Sequence, residues 1–536
     1  MADVPDFVIP ARMNAADAFV DLNVRLGRGA SVAIVDAVAD RYITYRELLA
    51  RVNQTGHALR RLDLRPEERV LLLLHDCPEF AYAFFGAIKI GAVPVPVNTL
   101  LRPHDYEYLL NDSRARILIV NALLLPMIEP IRPALRYLRH LVIVGECAPE
   151  YVSFAASIER ERDVLDAEEM SRDDAAFWLY SSGTTGFPKG AVHLHHDMLC
   201  CAESFGRGVL AMAAGDRTYS VARLFFAYGL GNALYFPFYA GATTILHPGR
   251  PEPKTVFEIV SKYRPTLFYS VPTSYAAMLA EMDAGATADF RSVRLCCSAG
   301  EPLAASLYER WKKRTGIEVL DGIGSTEVLH MFIANRPGRV CPGSSGELVP
   351  GYDARIVDAE GCEVEEGEIG DLLIKGESTC SGYWNRQEQT RRTIQGEWIR
   401  TGDKYSRDAR GYFWYQGRSD DMMKAAGQWV SPTEVESALM THAAVLECAV
   451  VAREDLQKLT KPMAYVVLKA GFEPSPSLTV ELREHVKRQL AIYKYPRWIE
   501  FIDQLPKTAT GKIQRYKLRA LANEPSRAPG TPPITT

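Results

Sequence analysis

From Tyr180 to Gly190 the chain reads Tyr-Ser-Ser-Gly-Thr-Thr-Gly-Phe-Pro-Lys-Gly, its densest gathering of hydroxyls, glycines and a cation. Ser181, Ser182, Thr184 and Thr185 offer hydroxyl donors, and Gly183 and Gly186 let the backbone turn so that successive N–H groups converge on an anion. Lys189 adds a point charge. This chemistry suits a polyphosphate; the plainer alternative is a polar surface turn. Two phosphate motifs are excluded by spacing. Lys189 stands between Pro188 and Gly190, where a P-loop needs Gly-Lys-Ser/Thr opening a helix, and no Gly-x-Gly-x-x-Gly occurs. Just beyond, His193, His195 and His196 crowd three imidazoles together. Strand neighbours face different ways and no distant Cys or His supplies a ligand spacing, so the cluster reads as structural rather than as a metal site.

The elements that must position this loop follow from the apolar pattern. Residues 176–180 and 190–193 read as short strands on either side of it. Thr44 and Glu47 have capping-box spacing, with Leu48, Val52 and Leu59 on one helical face behind them. Strands at 70–74, 117–120 and 141–144 and a helix at 80–90 imply a largely parallel, helix-covered sheet. Residues 267–271 and 293–297 read as further strands, the second running into Ala299-Gly300-Glu301-Pro302. At 536 residues at least two domains are expected. A net charge of -4 gives no general attraction to nucleic acid or anionic membrane. The most apolar run, 80–97, is broken by Lys89, Pro94 and Pro96 and makes a poor membrane span; the N-terminus lacks a secretory pattern. Ten cysteines without a Cys-x-x-Cys fit reduced thiols in a cytoplasmic protein.

The order Ser-Ser-Gly-Thr-Thr-Gly-x-Pro-Lys-Gly resembles the signature loop of the adenylate-forming enzymes, which include acyl-CoA synthetases, luciferase and peptide-synthetase adenylation domains. Further motifs follow in that family's order. Gly300-Glu301-Pro302 resembles its adenine-side loop, and Asp321-Gly322-Ile323-Gly324-Ser325-Thr326-Glu327 its aromatic-Gly-x-Thr-Glu element, with Ile323 where an aromatic usually packs on adenine. Thr401-Gly402-Asp403 resembles the motif whose acid accepts the ribose hydroxyls. Gly417-Arg418-Ser419-Asp420-Asp421 resembles the domain junction, and Pro506-Lys507-Thr508-Ala509-Thr510-Gly511-Lys512 the motif of the adenylation lysine.

What the resemblance implies is an ATP-dependent ligase using magnesium and CoA. It assigns Ser181, Ser182, Gly183, Thr184, Thr185, Gly186 and Lys189 to phosphates, Thr326 to the α-phosphate and Glu327 to magnesium. Gly300, Glu301, Pro302, Asp321, Gly322, Ile323, Asp403 and Arg418 fall to the nucleotide, Lys512 to adenylation, Asp420 to the hinge, and Lys424 and Gly427 to CoA. Read without the resemblance, Glu327 is a solvated loop acid, Lys424 an exposed strand lysine and Lys512 a solvated charge. The stretch from Phe225 to Gly231, otherwise a core segment, would line the acyl pocket with Phe226, Ala227, Tyr228 and Gly229, joined by Gly324, Leu329, His330 and Met331. Within the family the chain most resembles the benzoate-CoA ligase group. Hydroxybenzoate ligases, carrier-protein loading and a catalytically inactive nucleotide- or acyl-binding protein are the alternatives. The expected fold class is α/β: a large N-terminal domain of helix-covered β-sheets over 1–419, a small mobile α+β domain over 420–523, and a disordered tail over 524–536. The expected partners are an aromatic carboxylate, ATP and CoA, with no nucleic acid or membrane, and a homodimer is left open.

Overall fold

The helix Tyr45–Arg61 starts where its capping box places it: Glu47 N–H donates to Thr44 Oγ1 at 3.2 Å, and Thr44 N–H to Glu47 Oε2 at 2.7 Å. Leu48, Val52 and Leu59 lie on its buried face, and it packs against the buried helix Pro78–Lys89. Lys89, the charge that interrupts this apolar run, is fully buried and donates from Nζ to Asp21 Oδ1 at 2.6 Å. The computed structural model describes residues 8–181, 187–419, 421–425, 428–455, 459–507 and 513–523, with only the backbone of 424–425 and 428–429. Among the described residues no helix is long and apolar enough to cross a membrane. All ten cysteines are free of disulfides.

Two compact units divide the chain, residues 1–354 with 373–400 and residues 355–372 with 401–536. In the first, Val93–Pro96, Arg69–Leu73, Ile117–Asn121, His140–Val144 and Val152–Ser153 form an all-parallel sheet in that order. Buried Val, Leu and Ile fill these strands, as a sheet covered on both faces requires. A nine-stranded sheet runs from Glu347–Leu348 through Met331–Ala334, Val319–Gly324, Leu295–Ser298, Leu267–Ser270, Arg217–Ser220, Thr243–Leu246 and Val32–Asp36 to Arg41–Thr44. Its interior pairings are parallel and its outer ones antiparallel. Strands Ala175–Ser181 and Lys189–Leu194 pair antiparallel, and Gly382–Tyr383 adds to the second of them.

In the second unit, Val445–Glu454, Thr460–Leu468 and Trp498–Phe501 form a sheet packed with helices Pro432–Met440, Pro476–Gln489 and Arg515–Ala522. The helix Pro476–Gln489 starts at its proline because Ser475 Oγ accepts from Leu478 N–H at 3.1 Å. The first two strands also outrun their apolar centres, since the ladder continues through Arg453↔Lys461 and Glu454↔Thr460.

Candidate active site

The hairpin that carries the signature loop sets Ser181 directly opposite Lys189, with Tyr180 opposite Gly190. Ser181 Oγ donates to Glu327 Oε1 at 3.1 Å, and Tyr383 Oη donates to the same oxygen at 2.8 Å. Lys189 Nζ stands 4.0 Å from the centre of the Tyr383 ring. The lysine and the acid of the Thr-Glu pair therefore meet on one tyrosine, with the loop serine on the same acid oxygen; the pairing of Tyr383 with Ala191 puts the tyrosine there. Burial and the Glu327 charge push the Tyr383 phenol well up, so it remains a donor. Sequence reasoning missed Tyr383; its only signal is the Gly382-Tyr383 pair at a strand edge.

Thr326–Val328 form a single helical turn, and the chain then reverses at Leu329, φ 69 and ψ -42, with His330 N–H donating to Val328 O at 2.9 Å. Each carbonyl of the turn is tied to another segment. His193 Nε2 lies 2.8 Å from Thr326 O, Cys380 N–H donates to Glu327 O at 2.8 Å, and Ser378 Oγ donates to Val328 O at 2.9 Å. The three imidazoles of the His cluster face different partners: His195 Nδ1 accepts from Ala15 N–H at 3.0 Å and His196 Nδ1 lies 2.8 Å from Arg172 O. Burial pushes His195 down to about 4.

On the strand before this turn, Asp321 is buried and accepts from Leu303 N–H at 3.2 Å. It thereby braces the turn through Gly300, Glu301 and Pro302, where Gly300 takes φ 90. Burial raises the Asp321 carboxyl to about 7. Gly322 and Ile323 pair with Ala334 and Ile333. Gly324 lies so close to the His330 carbonyl that a Cβ would stand 2.5 Å from its oxygen.

The expected acyl-pocket residues are brought together in part. His330 is caged by Phe205, Phe236 and Tyr228 at centroid distances of 5.1, 4.5 and 5.6 Å. Gly231 makes this possible, because a Cβ there would meet His330 Cδ2 at 2.5 Å. Burial pushes His330 down to about 3, so the ring is neutral. With its proton on Nε2, toward Asn232 Oδ1 at 3.2 Å, Nδ1 is left buried without a hydrogen bond among the described residues, as are Tyr228 Oη and Asn232 Nδ2. Phe226 packs at a tilt on Phe225, centroids 4.5 Å apart and planes 60° apart. Ala227 opens the short helix Ala227–Leu230, and Gly229 packs on the Ala222 and Arg223 carbonyls. Leu329 and Met331 are fully buried. A surface cleft of about 750 Å³ lined by Ser261, Phe290 and Arg314 contains none of the motif residues.

In the second unit Asp403 and Arg418 face each other across an antiparallel pair, with Arg418 Nη1 donating to Asp403 Oδ1 at 3.0 Å. Gly402, at φ 77, lies against the same guanidinium. Lys424 sits in the strand Met423–Ala425 opposite Trp429. Ser182, Gly183, Thr184, Thr185, Gly186, Asp420, Gly427 and Lys512 lie outside the described residues, as does the Lys424 side chain.

The sequence profile of the AMP-binding enzymes matches residues 25–384, and that of the AMP-binding enzyme C-terminal domain matches residues 434–512. This chain belongs to the AMP-binding enzyme family. Among members of that family, it is 49% identical to a benzoate–CoA ligase of Thauera aromatica over 96% of this chain and 97% of that one. It is 45% identical to a 4-hydroxybenzoate–CoA/benzoate–CoA ligase of Rhodopseudomonas palustris over 95% and 94%. A crystal structure of an anthranilate CoA ligase in complex with anthranoyl-AMP superposes with a TM-score of 0.91 at 46% identity, covering 96% and 98% of the two chains. These AMP-binding enzymes share the α/β architecture, with a large N-terminal and a smaller C-terminal domain, that the sequence leads one to expect.

Proposed function

We propose that this AMP-binding enzyme is an ATP-dependent aryl-CoA ligase, acting on benzoate, that activates its acid as an acyl-adenylate and transfers the acyl group to CoA. The observation that carries the reading is one turn of backbone. Glu327, held by Ser181 beside Lys189, is followed three residues later by His330, packed in an aromatic cage with Tyr228. In this reading one short segment carries both the acid assigned to the phosphate side and the ring assigned to the aryl side. The named activities of the two curated relatives support the same reading.

In the proposed reaction the substrate carboxylate oxygen attacks the α-phosphorus of ATP and pyrophosphate leaves; the CoA thiol then attacks the acyl carbon and AMP leaves. The carboxylate is the nucleophile, so the protein's work is to bring two anions together and hold them. Lys189 and the hydroxyls of the signature loop serve the phosphates, and Thr326 the α-phosphate. Both hydrogen bonds to Glu327 fall on Oε1, and among the described residues Oε2 accepts none, which fits a carboxylate that also binds a hard cation. Among the described residues no cluster of three His, Cys, Asp or Glu could hold a metal alone, so magnesium would bind Glu327 together with the nucleotide's phosphates. Bound there, magnesium would neutralise triphosphate charge. Asp403 and Arg418 are assigned to the ribose and nucleotide, Lys512 to adenylation, Lys424 and Gly427 to the CoA step. The boundary at 419/420, with Asp420 as hinge of a mobile domain in a cytoplasmic enzyme, is part of the proposal.

A ring-substituted benzoate is the second reading. His330 Nδ1 and Tyr228 Oη, buried and without a geometrically sound hydrogen bond among the described residues, would suit a hydroxyl or amino group on the ring. Acid-dependent release of pyrophosphate from ATP tests the enzyme assignment. Release with benzoate is expected; none with any aromatic acid would favour an inactive binding protein.

A further inference from the structure

We propose that the buried pair His193–Asp197 is a positioning device that fixes the Thr326-Glu327 turn relative to the phosphate-side strand. The proposal rests on the functional reading above, which puts Thr326 and Glu327 beside the nucleotide's phosphates.

Both side chains have zero exposure. His193 Nδ1 lies 2.7 Å from Asp197 Oδ2, and Nε2 lies 2.8 Å from the Thr326 carbonyl oxygen. The Thr326 carbonyl can only accept, so Nε2 carries a hydrogen toward it, while Nδ1 and the Asp197 carboxyl share the second hydrogen bond. The ring lies on the face of Phe177, centroids 5.1 Å apart and planes 17° apart, which fixes its plane. Asp197 Oδ2 also accepts from Leu194 N–H at 3.1 Å; His196 Nε2 lies 3.4 Å from Oδ1, and the titratable groups Cys200, Cys201, Tyr235 and Cys380 also lie within reach of the carboxylate's charge. Taking such a pair out of water costs free energy that its mutual attraction barely returns, so its use is better sought in geometry than in stability.

The geometry is specific. Leu329, at φ 69, holds a backbone conformation that is strained for a residue with a side chain and persists only where the surroundings over-determine it. The carbonyls of Thr326, Glu327 and Val328 are the points of restraint. Two of the tethers come from Ser378 and Cys380. The third, His193, comes from the strand Lys189–Leu194 that begins with the phosphate-side lysine. Through His193 the spacing between Lys189 and Glu327 is set by one strand and one imidazole ring.

Asp197→Asn is the decisive variant. The carboxamide oxygen, kept in place by Leu194 N–H, still accepts from Nδ1–H, and an imidazole with its one hydrogen there turns the Nε2 lone pair toward the Thr326 oxygen. Loss of such a supporting contact is expected to lower benzoate-dependent ATP–pyrophosphate exchange about 10- to 100-fold, with KM for Mg·ATP and half-saturating magnesium both raised. Thioester formation from supplied benzoyl-adenylate and CoA should stay close to the parental rate. The double variant His193→Leu/Asp197→Asn, which removes the donor to Thr326 together with its partner carboxyl, should behave alike and carries the test if the single variant does not fold. Equal loss in both half-reactions, or exchange and magnesium dependence matching the parent, would overturn the proposal. A parent without acid-dependent exchange would instead overturn the functional reading.

Discussion

Tyr383→Phe removes one oxygen and leaves the rest of the candidate site in place. The ring that Lys189 approaches at 4.0 Å is kept, while Glu327 Oε1 loses the donor at 2.8 Å and retains Ser181. A hydrogen bond to a charged acceptor contributes about 1.5–3 kcal/mol, which converts to roughly 10- to 150-fold. Glu327 is only partly buried, so water can reach an oxygen the phenol vacates and the cost falls on orientation more than on folding. The assay is benzoate-dependent ATP–pyrophosphate exchange over a magnesium series. The variant should need about tenfold more magnesium at half-saturation. Its thermal midpoint and its conversion of supplied benzoyl-adenylate to thioester should be close to parental. Exchange with parental magnesium dependence would refute the reasoning, since Tyr383 would then not orient the carboxylate.

Three other outcomes are expected. Asp321, raised to about 7 from 3.8, is protonated in the folded protein while the unfolded chain is ionised. Its contribution is therefore intact below about pH 4, is lost as pH rises to about 7 and stays lost above that, a penalty on the order of 4 kcal/mol. Asp321→Asn should flatten that decline in denaturation measured at pH 5 and pH 8, and an unchanged slope would show Asp321 ionised in the fold. His330→Phe keeps an aromatic in the cage but removes Nδ1, so it should reduce discrimination in favour of hydroxy- or aminobenzoates by about 1–3 kcal/mol in kcat/KM while sparing benzoate; parental ratios would take His330 out of substituent recognition. Lys512→Ala should cripple acyl-adenylate formation yet still convert supplied adenylate and CoA to thioester, and equal loss in both steps would refute that division of labour.

Local signals made much of the architecture legible. The Thr44–Glu47 box, the apolar strands and the two strands flanking the signature loop are set by short-range propensity and period, and each forms in the structure. Motif order pointed to Glu327 and Ser181, which meet. The tethers on the Thr326–Val328 carbonyls were not legible. They join His193, Ser378 and Cys380 to backbone atoms far along the chain, and a side chain bonded to a distant carbonyl leaves no periodic trace. His193 looked structural because its neighbours His195 and His196 face elsewhere. That reading overlooked a buried imidazole aimed at the turn. Of the aromatic cage around His330, the motifs singled out Tyr228 and His330, whereas Phe205 and Phe236, which complete the cage, sit in segments that read as core.

The most direct test of the account is a panel of acids assayed with ATP, magnesium and CoA for both pyrophosphate and acyl-CoA. Specificity constants for benzoate, 4-hydroxybenzoate, 2-aminobenzoate and a medium-chain fatty acid should rank benzoate or a substituted benzoate first and the fatty acid last. A fatty acid that outranks every aromatic acid would contradict it.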